Sequence, residues 1–307
     1  MLNPGKISIL AMISLTPAIA GAQEFNGAAT LGYGQSSISN GGGDFGTFTG
    51  DFTGTLSFDN GLHWGFDAKY YNADPDNISG DVSLWDLGTT LNYQFDNGGV
   101  LGGYLDYADF DSGLGLNLSS DVTSYGISGG YVVENAGFEA WIGESETSPS
   151  LPNGTDWTDF GARFRYQASD SAVFGGHYVR SDVSGGGVNL DLYSVGLGGY
   201  YRFNSGWGTY AGLVHQSFSD LDLDYTTLGI GVDYNLLEIS EIPGQVSLEL
   251  ARTDIDVGGA SGDIDTLRFG LTFPLGGRTS STPLNSVARA AMAPRHNALT
   301  TLEDTTF

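Results

Sequence analysis

Apolar and polar residues alternate with period two along most of this chain. Trp85, Leu87, Thr89, Leu91, Tyr93 and Phe95 alternate with Asp86, Gly88, Thr90, Asn92 and Gln94. Leu62, Trp64, Phe66, Ala68 and Tyr70 interleave with His63, Gly65, Asp67 and Lys69, and Phe160, Ala162, Phe164 and Tyr166 with Asp159, Gly161, Arg163 and Arg165. Leu267, Phe269, Leu271 and Phe273 repeat the pattern against Thr266, Arg268, Gly270 and Thr272. Such spacing predicts strands with one apolar and one polar face. About fourteen such segments, within a range of twelve to sixteen, run from 24–37 to 264–275. Short turns such as Asp59-Asn60-Gly61 and Asn204-Ser205-Gly206 alternate with longer polar connections, among them 182–189 and 255–263. Asn, Asp and Gly supply the positive φ angles that tight hairpins need.

The two ends differ from this body. Lys6 precedes an apolar run from Ile7 to Ala20, with small residues at Ala18, Ala20, Gly21 and Ala22. This is the form of a secretory signal peptide covering residues 1–22. The strand pattern occupies 23–275. From Gly276 to Phe307 alternation stops and Ser, Thr, Pro, Ala and Arg dominate, which predicts a flexible tail, apart from a short helix around Leu284–Met292.

Composition then narrows the fold class to all-β. The chain has 307 residues, 36 acidic against 11 basic for a net charge of −25, 48 glycines and no cysteine. That charge argues against a nucleic-acid partner, because phosphate binding needs clustered Lys and Arg. Without cysteine there is no disulfide scaffold or thiol chemistry. A soluble sandwich exposes lysines on its polar face. Here that face is Gly, Thr, Ser, Asn and Asp, and Lys69 is the sole lysine beyond the leader. Aromatic residues gather at the strand ends: Phe58, Trp64, Phe95, Phe203 and Trp207 beside the short turns, and Tyr33, Tyr70, Trp85, Tyr107, Tyr125, Tyr193 and Tyr225 at the other end. Two aromatic girdles around an apolar band are the signature of a closed antiparallel transmembrane β-barrel. Closure is required because no backbone group can be left unpaired in lipid.

With these features the chain resembles a Gram-negative outer-membrane porin, over roughly residues 24–275. The segment from Asp265 to Phe273 has the alternating, aromatic-ended form of that family's last strand, although 34 residues follow it. The resemblance implies a location in the cell outer membrane, closure of the barrel at Phe273, a tail in the periplasm, and passive diffusion of small hydrophilic solutes. A monomer and a trimer both fit.

The polar phase of the strands defines the expected lumen. Small residues there suggest an open aqueous pore at this strand number. Charged residues of that phase are Asp51, Asp67, Asp86, Asp106, Glu139, Asp159, Asp233 and Glu249, against Lys69, Arg163, Arg165, Arg202 and Arg268. Eight acidic against five basic leaves three net negative charges, which predicts weak cation selectivity. Asp86, Asp106 and Asp159 fall toward the outer mouth and Arg165 and Arg202 toward the periplasmic one, so a two-sign constriction is one reading. Cross-strand structural pairs are the other, with Glu139 opposite Arg163. Acidic outer loops, such as Asp220-Leu-Asp222-Leu-Asp224, either bridge to lipopolysaccharide through divalent cations or form a solvated surface. The longest connection, 110–121, is a candidate for a loop folded into the lumen.

Other classes have weaker support. His215-Gln216-Ser217 faintly resembles the His-x-Ser element of outer-membrane lipid hydrolases, but on an alternating strand it reads as structural. No phosphate-binding glycine loop or calcium-loop spacing occurs, so no catalytic residue, cofactor or metal is expected. The remaining alternative to a porin is a non-conducting barrel serving as adhesin or envelope scaffold.

Overall fold

A computed structural model describes residues 24–39, 43–75, 80–112, 118–276 and 282–306. The signal-peptide reading and residues 113–117 of the expected loop at 110–121 lie outside the described residues, while 110–112 and 118–121 pair as strands rather than folding into the lumen as a loop. Fourteen strands form a closed antiparallel barrel. They are β1 (Glu24–Ile38), β2 (Gly43–Ser57), β3 (Leu62–Pro75), β4 (Val82–Gln94), β5 (Gly99–Ser112), β6 (Leu118–Val133) and β7 (Ala136–Ser148). The circuit continues through β8 (Thr155–Ser169), β9 (Ala172–Gly185), β10 (Val188–Arg202), β11 (Trp207–Phe218), β12 (Leu223–Asn235), β13 (Gln245–Val257) and β14 (Ala260–Gly276). Each strand pairs with its sequence neighbours. The ring closes where β1 meets β14, with Thr30 opposite Thr272 and their hydroxyls 2.8 Å apart. Every strand edge is thereby paired, as a lipid environment demands.

Several strands run past the expected limits. Where the sequence predicts polar connections at 182–189 and 255–263, β9 and β10 pair out to Gly185 and Val188, and β13 and β14 out to Val257 and Ala260. Backbone pairing continues into water, where an apolar face is no longer needed.

The alternation sorts the side chains by solvent. Leu31, Leu87, Leu105, Ile127, Ile142, Leu197, Leu213 and Leu250 point outward and are exposed. At the short-turn end the outward aromatic residues pack in pairs, with Tyr93 and Phe95 at 5.0 Å between ring centres and Trp207 and Tyr234 at 4.8 Å. At the other end Tyr70 and Trp85 lie 4.6 Å apart. An apolar wall of this extent is unstable in water and is matched to a bilayer.

The tail departs from expectation. Residues 282–306 are not an irregular periplasmic extension but an ordered segment inside the barrel. It carries two helices, α1 (Val287–Met292) and α2 (Ala298–Thr306), packed mainly against β9–β12. Val287, Ala288, Ala291 and Asn297 are almost completely buried. The expected short helix around Leu284–Met292 corresponds to α1, and only its docking inside the barrel is hidden from the sequence, because the glycine-rich wall it meets lies on remote strands.

Candidate functional site

The inner wall holds the charged residues named from sequence. Asp51, Lys69, Asp86, Asp106, Asp159, Asp233, Glu249 and Arg268 are buried on it. Lys69 on β3 lies in register with both Asp51 on β2 and Asp86 on β4. Glu139 and Arg163 face each other across β7 and β8 with a nitrogen–oxygen separation of 2.6 Å, and Arg268 lies 3.3 Å from its register partner Glu249. Glu139–Arg163 is the cross-strand pair named from the sequence, and the Glu249–Arg268 pair is seen only in the structure. Arg202 is the last residue of β10 and sits over the Tyr200 ring at 5.9 Å. Arg165 is exposed near the short-turn end of β8.

The lumen is not the open space that small inward residues suggest. Large residues also share the polar phase of their strands: Tyr71, Leu84, Tyr104, Trp141, Trp157, Tyr200 and Tyr210 all point inward and are buried. Phe45, Tyr71, Leu84, Ala108 and Ile264 form one apolar cluster at the long-loop end. Tyr104, Val122, Trp141, Trp157, Val179, Val183 and Leu192 form another, which takes in Ala298 and Leu299 of the C-terminal segment.

That segment is fastened at successive heights. Leu284 donates its backbone N–H to Thr30 Oγ1 at 3.2 Å. Ser286 caps α1, and the Val287 N–H donates to Glu249 at 3.2 Å. His177 Nδ1 lies 2.8 Å from the Ala291 carbonyl oxygen. Beyond α1 the chain crosses to the acidic side of the wall. There Arg295 pairs with Asp67 and with Asp86, the latter at 2.8 Å, and His296 Nδ1 sits 2.6 Å from Asp106 Oδ2. The imidazole stacks on Tyr104 at 3.8 Å, nearly parallel, and Trp141 donates to the His296 carbonyl oxygen at 2.8 Å. Asn297 then donates to Ser124 at 2.6 Å, and the Ala298 N–H to Ser181 at 3.0 Å. Ser181 itself donates to Asp159, which also accepts from Ser145 and Trp157.

Glycine has a different role from the one its abundance suggests. A Cβ at Gly212 would stand 2.5 Å from the Ala288 nitrogen, one at Gly198 2.7 Å from the Ala288 carbonyl oxygen, and one at Gly229 2.7 Å from Val287. These inward glycines form the smooth floor on which α1 lies, rather than holding a lumen open. On the acidic side, Gly88 sits in register between Asp67 and Asp106, and a Cβ there would meet both carboxylates at under 3 Å. Its bare backbone lets the two carboxylates converge toward Arg295 and His296.

Beside the segment a cavity of about 510 Å³ remains, reaching toward the short-turn end. Asp67, Asp106, Glu139, Arg163, Arg165, Arg289, Arg295 and His296 line it, along with His63 and Asn92. The hydrolase motif lies elsewhere: His215 projects outward, 3.0 Å from Thr226 and 3.4 Å from Tyr193. On the outer rim, Arg252 bridges Asp254, Asp263 and Asp265, and Arg180 pairs with Asp191. Part of the loop acid is thus neutralised within the chain. Among the described residues no group of three or more His, Asp or Glu is placed to hold a metal ion.

The architecture is that of outer-membrane porins and channels. An anion-selective porin from Comamonas acidovorans superposes with a TM-score of 0.50 at 11% identity, covering 82% of this chain and 99% of that one. A variant of the TodX monoaromatic hydrocarbon channel gives 0.50 at 9% identity, covering 84% and 91%. No family model and no curated sequence relative matches. At such identities the likeness shows the closed β-barrel fold alone.

Proposed function

We propose that this protein is an outer-membrane channel through which small hydrophilic solutes diffuse, with a mild preference for cations. The single observation that carries the reading is the division of the barrel wall, apolar and aromatic-belted outside, polar and charged inside. A barrel that served only as an anchor would have no need of so many inward carboxylates, each costly to bury. Eight acidic against five basic inward residues favour cations over anions in the passage. The test is a planar-bilayer recording of the purified full chain in a potassium chloride gradient. Stepwise conductance with a reversal potential on the potassium side supports the reading; a chloride-side potential would remove the selectivity. Arg163→Ala, which leaves Glu139 without its 2.6 Å partner, should move the reversal potential further toward potassium. An unchanged potential would make that pair purely structural.

A second reading has an observation of its own. The C-terminal segment and two apolar clusters occupy much of the lumen, as in a scaffold barrel that conducts nothing. Persistent silence of a barrel that still shows heat-dependent gel mobility would favour that reading.

A further inference from the structure

We propose that the segment 282–306 is an autoinhibitory plug, latched by Arg295 and His296 in the carboxylate pocket of Asp67, Asp86 and Asp106, and that breaking the latch opens the passage. The proposal rests on the channel reading and supplies its regulation. Four features distinguish a releasable plug from a permanent filling. First, no plug residue takes part in any strand ladder, so withdrawal breaks no pairing of the barrel. Second, the apolar contact of α1 is made by small groups on a smooth floor. Val287, Ala288 and Ala291 meet Gly196, Gly198, Gly212 and Gly229, and so few interlocking side chains gain little from burial.

Third, α1 has only six residues, well below the roughly 12–15 that an isolated helix needs in water. Its helical form therefore depends on the wall, and a released plug loses its shape as well as its place. Fourth, beside the backbone and amide hydrogen bonds at other heights, the salt bridges described above converge on two adjacent residues. Arg295 spans Asp67 and Asp86, while His296 joins Asp106, the Tyr104 ring and the Trp141 N–H. The neighbouring cavity of about 510 Å³ gives this dipeptide room to move toward the short-turn end.

The test uses the full chain, whose lack of cysteine makes an introduced thiol unique. Thr301 is fully buried in the plug, so Thr301→Cys should react slowly with a small charged maleimide. Combining it with Arg295→Gln and His296→Gln should raise the labelling rate at least tenfold, and the open probability in planar bilayers should rise in parallel. If the double substitution prevents folding, His296→Gln alone provides a milder break with the same expected direction. Faster labelling with no conductance would keep the latch and remove the channel reading. Conductance in every variant with labelling unchanged would keep the channel and overturn the latch. Slow labelling and silence in every variant would overturn both.

Discussion

Replacing Gly212 by valine tests whether the glycine floor seats the plug. In β11 Gly212 lies directly beneath α1, and a Cβ there would stand 2.5 Å from both the Ala288 nitrogen and the Val287 carbonyl carbon. Ordinary contact begins near 3.4 Å, so a single methyl group displaces the helix by about 0.9 Å, the difference of the two. Valine's two further methyls demand more. Those atoms belong to backbone and cannot rotate away. Overpacking of this kind costs about 1–3 kcal/mol, and that range shifts the ratio of seated to released plug by roughly 5- to 150-fold. The barrel itself should tolerate the change, since β-branched residues suit strands. The assay is limited trypsin digestion of the folded protein, followed at Arg289 and Arg295. Cleavage should accelerate within that range while heat-dependent gel mobility stays that of a folded barrel. Gly129→Val is the control, because it is on the outer face with its nearest neighbour, the Val100 carbonyl oxygen, at 3.7 Å. Equal cleavage in both variants would refute the account of the floor.

Two further outcomes follow from the wall. Ile127→Arg places a charge at mid-height on the lipid face, where Ile127 is 63% exposed, and should destabilise the barrel by about 2–4 kcal/mol. Urea titration of folding into liposomes measures this, and a loss below about 1 kcal/mol would contradict a bilayer around that position. Asp159→Ala leaves the buried Ser145, Ser181 and Trp157 donors without their shared acceptor, each costing about 1–3 kcal/mol. The heat-shift temperature on gels should fall clearly, and an unchanged value would show that water replaces the carboxylate.

The carboxylate pocket shows where sequence reading stops. Asp67, Asp86 and Asp106 are recognisable as inward from the phase of their own strands. Nothing in that phase says that Arg295 and His296 come to meet them. His296 is 190 residues from Asp106 and 155 from Trp141, and it lies in a stretch of Ala, Pro and Arg with no repeating pattern. The signal available was indirect. Tyr104, Trp141 and Trp157 stand on polar phases, and bulky aromatic groups there imply something to pack against.

By itself the sequence determined the wall. Alternation is local, because each residue of a strand faces either lipid or the interior, and two solvents of opposite polarity write that choice into neighbouring positions. Strand number, the inside–outside sorting and the girdles therefore follow from one pass along the chain. Only the tertiary structure decided what fills the barrel. A plug is specified by the space that fourteen distant strands leave between them, and by glycines whose lack of a side chain has meaning only beside α1. Such complementarity is shared between remote segments, and neither half displays it alone.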